Sequence, residues 1–470
     1  MLRRFIFVLS PALLLLLLAG FFPTVASAAP QNVLFLFSDD QRADTIHALG
    51  NAHIETPHLD RLVQRGTAFP RAYCMGGMQG AVCVPSRAML LTGRPLWRIH
   101  EQLKGQQTWP ETFAAAGYAT FLTGKWHNGR ESLLRIFPQG RAIFLGGMGD
   151  PFHLPLQDII AGRTLRPHAT PPGRHAVEEI ADAAIGFLRD RPKDKPFLLH
   201  VALEAPHDPR VAPPEYHARY KDKLPPLPPD FLPLHPFDNG EMTIRDERLA
   251  PWPRTEADIR AQLADYYALI TYMDAQIGRI LEALEKSGAA DETLIVFASD
   301  QGLALGSHGL MGKQNLYESG MRVPLIFAGP GIPAGEKRDA LCYLTDVYTT
   351  LGDLTGTPRP DGCEGRSLAP VIAVREARVR SHILTGYRDV QRAITDGTWK
   401  LIRYPQVDVT QLFNLSTDPH EMKDVSGDHS LAPVLERLTA ALKAEQGVHG
   451  DTQQLTVDHP RPSAWTPPAK

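Results

Sequence analysis

The sequence predicts an α/β fold with helices on both faces of a mostly parallel sheet, and two patterns carry that expectation. Three apolar runs, Val33 to Phe37, Phe197 to Leu203 with His200 as its one interruption, and Leu294 to Ala298, read as strands buried on both faces and lack the alternation of a half-wet sheet. Ahead of the third run, Leu263, Tyr266, Ile270, Met273, Ile277, Ile280 and Leu284 recur at three- and four-residue spacing. That spacing predicts a helix, which Gly288 can stop and which leads straight into the third strand. Such alternation builds a layered α/β domain whose ligands collect at the carboxyl ends of the strands.

Each run delivers polar groups at that end. The first is closed by Ser38-Asp39-Asp40, the second by Glu204-Ala205-Pro206-His207 and the third by Ser299-Asp300-Gln301-Gly302. Ala119 to Leu122 is a shorter candidate strand, followed by Gly124-Lys125-Trp126-His127. Between residues 205 and 256 the chain turns Pro-rich and irregular, the signature of a functional loop that can wall a site. Past residue 365 come short alternating stretches, Arg392 to Ile402 and Leu412 to Leu415, which predict a small antiparallel unit.

At the N-terminus, Arg3 and Arg4 precede an apolar stretch that culminates in Leu13 to Leu18, and Ala26-Ser27-Ala28 offers small residues to a signal peptidase. The expected organisation is a signal peptide over residues 1–28, a catalytic domain over 29–365, a small C-terminal α+β unit over 366–447 and a polar, Pro-rich tail over 448–470. The protein is then exported, either periplasmic or secreted. A retained anchor is the alternative, because Phe5 to Phe22 is nearly long enough to span a bilayer. No second stretch of spanning length follows, so no stable membrane partner is expected. With 470 residues the chain can bury a large core, and a net charge of -3 leaves no field for nucleic acid. Four cysteines, Cys74, Cys83, Cys342 and Cys363, are too few for a disulfide scaffold and match no zinc spacing; Cys342 with Cys363 is one candidate bridge, two buried thiols the other reading.

Cys83-Val84-Pro85-Ser86-Arg87 is the most informative segment. Pro85 suits the first turn of a helix, which places residue 83 at an N-terminus where free N–H groups and the dipole favour an anion. The string resembles the Cys-x-Pro-Ser-Arg signature of type I sulfatases, and Leu91-Thr92-Gly93-Arg94 resembles its usual extension; the likeness runs from about residue 31 to 430. The resemblance implies an alkaline-phosphatase-like sandwich with a small C-terminal sheet domain. It also implies that a separate maturation enzyme oxidises Cys83 to formylglycine. A hydrated aldehyde has one hydroxyl to attack sulfur and a second to expel sulfate, a route closed to Ser or Cys.

The same resemblance assigns the remaining residues. Asp39, Asp40, Asp300 and Gln301, with the group at position 83, would hold one calcium ion, and an all-oxygen set of carboxylates suits such a hard cation. Gln301 departs from the Asn of many members. Arg87 would hold the formylglycine hydrate, Lys125 and Lys313 the sulfate, and His207, in Ala205-Pro206-His207-Asp208-Pro209, would stand on the leaving-group side. His207 and Lys313 would protonate the leaving alcohol, and His127 would take a proton from the second hydroxyl. His308, five residues before Lys313, can orient that loop. The implied activity is hydrolysis of a sulfate ester, with a sulfated carbohydrate favoured by export and by the 205–256 loop, whose Arg245, Arg248 and Arg254 can bind anions or pair internally with Asp246 and Glu247. Formylglycine phosphodiesterases and phosphonate hydrolases share the signature and form the first rival. A non-catalytic glycan-binding relative is the second, disfavoured because every catalytic position carries a competent side chain.

Overall fold

The computed structural model describes residues 31–468, so the expected signal peptide over 1–28 lies outside the described residues. The three apolar runs are strands: Asn32–Ser38, Phe197–Ala202 and Thr293–Ser299, with Asn32–Ser38 paired in parallel to both of the others. The fourth, Ala119–Lys125, lies parallel beyond Phe197–Ala202 and is longer than its apolar core suggested, because it runs on through Gly124 and Lys125. Successive residues of the first strand enter two different cores. Val33, Phe35 and Phe37 point into one, Leu34 and Leu36 into the other, so both faces demand apolar side chains and no alternation survives in the sequence. The helix Glu256–Lys286 covers the second face, and the helix Cys83–Thr92 packs into the core on the first.

The central sheet has ten strands and is mixed, where a mostly parallel one was expected. Its middle is parallel, from Thr293–Ser299 through Ala119–Lys125 to Gly140–Phe144. Antiparallel strands extend it on both sides: Leu325–Ala328 beside Thr293–Ser299, and Leu156–Ile160 and Thr164–Pro167 beyond Gly140–Phe144. These strands escaped the sequence because they are short, and Thr164–Pro167 is largely exposed.

A second sheet of five strands collects Ile383–Tyr387, Gln391–Thr395, Trp399–Tyr404 and Val409–Asn414 as an antiparallel run, over which the helix Ala432–His449 buries Leu438 and Leu442. Its remaining edge is Gly76–Gly77, paired in parallel to Ile383–Tyr387, so the segment just ahead of Cys83 is stitched into this sheet. The last residues also dock: Asp451 forms a buried pair with Arg392 at 2.7 and 2.9 Å, and the Ser463 carbonyl accepts from the Asp238 N–H. The 205–256 segment is mainly irregular, as expected, yet contains the helix Pro214–Lys221. Cys342 and Cys363 are free thiols, so the candidate bridge is not made; Cys363 Sγ lies 3.4 Å from the Thr349 hydroxyl instead. Among the described residues no helix is long and apolar enough to cross a membrane.

Candidate active site

Four strand ends and one helix N-terminus converge on a single buried cluster. Cys83 is the first residue of its helix and is 1% exposed. Its Sγ lies 3.2 Å from His127 Nδ1 and 3.9 Å from Lys125 Nζ. Lys125 ends the Ala119–Lys125 strand and His127 lies two residues beyond it, and Asn128 fixes the loop by donating to the Val84 carbonyl at 3.0 Å. Asp40 and His127 both adopt left-handed backbone conformations, with φ of 64° and 66°. That strain on non-glycine residues at the ends of two strands that flank Phe197–Ala202 is held in place by the polar contacts around them.

The carboxylates are interleaved with cations. Arg87 donates to Asp39 Oδ2 at 2.8 Å, to Asp300 Oδ2 at 3.3 Å and to the Lys125 carbonyl at 2.9 Å. Lys125 Nζ sits 2.5 Å from Asp39 Oδ2, and Lys313 Nζ donates to both Asp40 oxygens at 2.8 and 2.9 Å. Gln301 Nε2 donates to Asp40 Oδ1 at 2.5 Å, and Asp300 Oδ1 accepts the Asp40 and Gln301 N–H groups. Ser86, inside the signature, donates to the Asp300 carbonyl at 2.7 Å and so ties the helix to that strand end. The cluster thus unites all ten sequence-predicted residues, Cys83, Arg87, Lys125, His127, His207, Lys313, Asp39, Asp40, Asp300 and Gln301.

Burial sets their titration. Burial works against the Asp39 anion, but Lys125 and Arg87 outweigh it and hold the carboxyl far below its usual range. Asp300 goes the other way, raised by burial and then by the neighbouring Asp39 charge. Burial pushes the Cys83 thiol up to about 11, against the pull of Lys125 and Lys313. Burial, aided by Lys125, drops His127 to about 3, so its imidazole is neutral and can accept a proton. His207 is likewise lowered by burial and by Lys313. Its Nδ1 lies 2.7 Å from the Asp208 carbonyl, which requires an N–H there, and its Nε2 faces Asp40 Oδ2 at 3.6 Å.

The donor set can hold a metal ion. One atom each from Asp39, Cys83 and Asp300 fall within 4.8 Å of one another, as do atoms from Asp39, Asp40 and His207. Asp39 Oδ1 and Gln301 Oε1 are buried with no hydrogen-bond partner among the described residues. Two orphaned oxygens beside three carboxylates fit an oxygen-seeking cation better than a soft or imidazole-preferring one. Gln301 therefore reaches the cluster despite its longer arm.

Other expectations divide. Arg254 is 2% exposed and pairs with Glu247 at 2.6 Å, so it is excluded from substrate contact. Arg245 makes a two-pronged pair with Asp208 and a contact with Asp246, of which only the Asp246 contact was anticipated; Arg248 stays exposed, donating to the Thr243 carbonyl. His308 stacks on Tyr317 with centroids 3.7 Å apart and meets Asp230 at 3.1 Å, which fixes the loop that carries Lys313. His200 is buried against Phe35 and Tyr348 with no role in the cluster. Sequence reasoning missed Asp208 as an organiser, although it lay within the quoted Ala205 to Pro209 string, whereas the internal pairing with Glu247 was one of its two readings of the loop arginines.

Residues 31–357 match the family described as Sulfatase, and residues 306–447 match that described as N-sulphoglucosamine sulphohydrolase, C-terminal. The N-acetylglucosamine-6-O-sulfatase of Bacteroides thetaiotaomicron is 28% identical, across 94% of this chain and 92% of its own. An arylsulfatase of Clostridium perfringens is 29% identical, across 84% and 90%. A solved structure in complex with its substrate D-glucosamine-2-N,6-O-disulfate shares the fold, with a TM-score of 0.75 at 24% identity over 90% of this chain and 99% of that one. The Sulfatase match spans every residue of the cluster from Asp39 to Lys313, and on it the chain belongs to the sulfatase family of the alkaline phosphatase superfamily, as a hydrolase of sulfuric esters.

Proposed function

We propose that the protein removes sulfate from a carbohydrate, using a formylglycine at position 83 and one calcium ion held by Asp39, Asp40, Asp300 and Gln301. The observation that carries this reading is the placement of Cys83 at a helix N-terminus, 3.9 Å from Lys125 Nζ and 3.2 Å from His127 Nδ1. An anion is favoured there, and the neutral base is already in hydrogen-bonding range. Formylglycine, once formed, would supply the nucleophile that attacks sulfur. Calcium, when bound, would supply positive charge to the site.

The chain's own residues do the rest. Lys125 and Lys313 point their ammonium groups at the cluster and bind the sulfuryl oxygens, while Arg87 holds the group at position 83 between Asp39 and Asp300. His127 Nδ1, 3.2 Å from the Cys83 sulfur, is placed to take the proton from the hydroxyl that would stand in that sulfur's place. At His207 the proton is exchanged at Nε2, because Nδ1 is committed to the Asp208 carbonyl. A bound sulfate anion opposes the depression imposed by burial and Lys313 and so favours the Nε2–H form that protonates the leaving alcohol.

The relatives support a sugar substrate: one is named for N-acetylglucosamine 6-O-sulfate, and a structural neighbour holds a glucosamine disulfate. Export, maturation by a separate formylglycine-generating enzyme and the absence of a stable membrane partner belong to the same reading and rest on the N-terminal sequence and the Cys83 string. The deciding experiment compares turnover of 4-nitrophenyl sulfate, an aryl phosphate diester and a panel of sulfated monosaccharides that includes N-acetylglucosamine 6-sulfate. Sulfate esters are expected to dominate, with sugars above the aryl ester in kcat/KM. A phosphate diester as the best substrate would move the protein to the phosphodiesterase rival; sugar binding without release would move it to the glycan-binding one.

The metal makes a separate prediction. Chelation is expected to slow turnover and lower Tm, and calcium above its Kd to restore both; a hundredfold excess over Kd is worth about 2.7 kcal/mol to the folded state. Metal analysis of active protein that finds zinc, or no divalent ion, rejects the assignment.

A further inference from the structure

Glu204 is a carboxylate that the mechanism above does not use, in a place where a carboxylate is hard to keep. It lies two residues beyond the Phe197–Ala202 strand, and its backbone carbonyl accepts the His207 N–H at 3.0 Å, so the two residues share one tight turn. The next carbonyl, of Ala205, accepts the Asp39 N–H at 3.1 Å, which fixes that turn against the cluster. Both Glu204 side-chain oxygens are buried, and neither has a hydrogen-bond partner among the described residues. Burial pushes its carboxyl up to about 7, only partly opposed by the dipole of its own backbone N–H and by Lys125. Buried polar groups are almost always satisfied, and one left open beside an active site calls for a partner.

The space in front of it is small and specific. Glu204, His207, Asp208, His175, Met148 and Leu269 line a cavity with about 10 Å³ of free space, room for one water-sized group. The loop that includes Met148 also closes over the catalytic side. A Cβ at Gly147 would fall 2.7 Å from the His127 ring, so only glycine lets the backbone approach that closely. The cavity therefore sits on the His207 side of the cluster, the side that the proposed mechanism gives to the leaving group, and Glu204 lines it.

We propose that Glu204 is a specificity-determining residue whose carboxyl accepts a hydrogen bond from a hydroxyl or amino group carried by the leaving alcohol close to its ester oxygen. The proposal rests on the sulfatase reading of the site and deepens it: the substrate class is a polyol or amino-sugar sulfate, and a plain aryl sulfate leaves the pocket unfilled. A site built to hydrogen-bond a substrate donor rejects analogues that lack it, because its own buried group is then left unpaired.

The test uses the full-length protein with Glu204→Gln and Glu204→Leu, kcat/KM on 4-nitrophenyl sulfate and on the sulfated monosaccharide panel, and Tm. For Glu204→Leu, the ratio of sugar to aryl kcat/KM is expected to fall by ~20-fold, the range set by loss of one hydrogen bond to a charged group. Glu204→Gln, which keeps an acceptor, is expected to fall between. The Tm of Glu204→Leu should equal or exceed that of the wild type, since an unpaired buried carboxyl is removed. An unchanged ratio overturns the proposal, as does a lowered Tm, which reveals an internal partner or a structural water. A wild type that cleaves the aryl sulfate and no sugar sulfate overturns it while leaving the sulfatase reading intact. Inactivity on every sulfate ester defeats both together.

Discussion

Cys83→Ala is expected to lose activity by 10⁴-fold or more, on the order seen when a covalent nucleophile is deleted from a hydrolase, while Tm changes little. Among the described residues the side chain's polar contacts are with His127 and Lys125, and alanine is at ease in the first turn of a helix. The stronger form of the prediction concerns chemistry. Burial holds the Cys83 thiol near 11, so at neutral pH only about one part in 10⁴ is thiolate, the form in which cysteine attacks. An unmodified cysteine is thus a poor nucleophile here in spite of its two neighbouring lysines. Mass spectrometry of the peptide containing residue 83 is expected to show the aldehyde in proportion to specific activity across preparations. Full activity in protein that carries only the thiol would contradict the mechanism, and Cys83→Ser, which keeps a hydroxyl but cannot be matured by a cysteine-specific enzyme, is expected to be as inactive as Cys83→Ala.

The site was far more legible in the sequence than the sheet around it. Asp39, Asp300, Lys125 and His207 each follow an apolar run, and a strand that must be apolar on both faces announces its own end when the first charge arrives. The helix from Glu256 to Lys286 was readable because 31 residues give many turns over which the period can repeat. Leu156–Ile160 and Thr164–Pro167 had no such advantage: five and four residues, partly exposed, carry too little pattern to separate from a loop. Gly76–Gly77 is a strand only because Ile383–Tyr387, some three hundred residues away, offers its edge. Pairings of that range are decided by tertiary contact, and two glycines have no side chains with which to signal it. The three arginines of the 205–256 segment stayed open between anion binding and internal pairing for a related reason. Charge alone cannot distinguish an exposed anion-binding group from Arg254, whose partner sits seven residues earlier in the chain and below the surface.

That buried pair leads to the second large effect. Glu247 accepts from Met311 N–H at 2.9 Å and Gly312 N–H at 2.8 Å, as well as from Arg254 at 2.6 Å, and so pins the backbone immediately before Lys313. The fit is close: a Cβ on Gly312 would come within 2.8 Å of Asp246 Cβ and 2.3 Å of Gln314 Oε1. Glu247→Ala leaves a buried guanidinium without its counter-charge and two amide N–H groups without an acceptor. Breaking a buried pair from one side costs about 3–5 kcal/mol, so a fall in Tm of several degrees is expected. Because the lost contacts border Lys313, kcat on sulfate esters should fall as well, and more steeply than stability alone dictates when assayed far below Tm. Arg254→Ala removes the cation but leaves Glu247 its two amide donors, and is expected to destabilise with a smaller loss of kcat. The double variant should lose less than the sum of the two, since each partner's isolation is then relieved. Glu247→Gln, which can still accept from one amide, should recover part of kcat. If Glu247→Ala and Arg254→Ala lower kcat equally at matched folded fraction, Glu247 supports the fold and does nothing particular for Lys313. If neither lowers Tm, the pair is not held as the geometry describes.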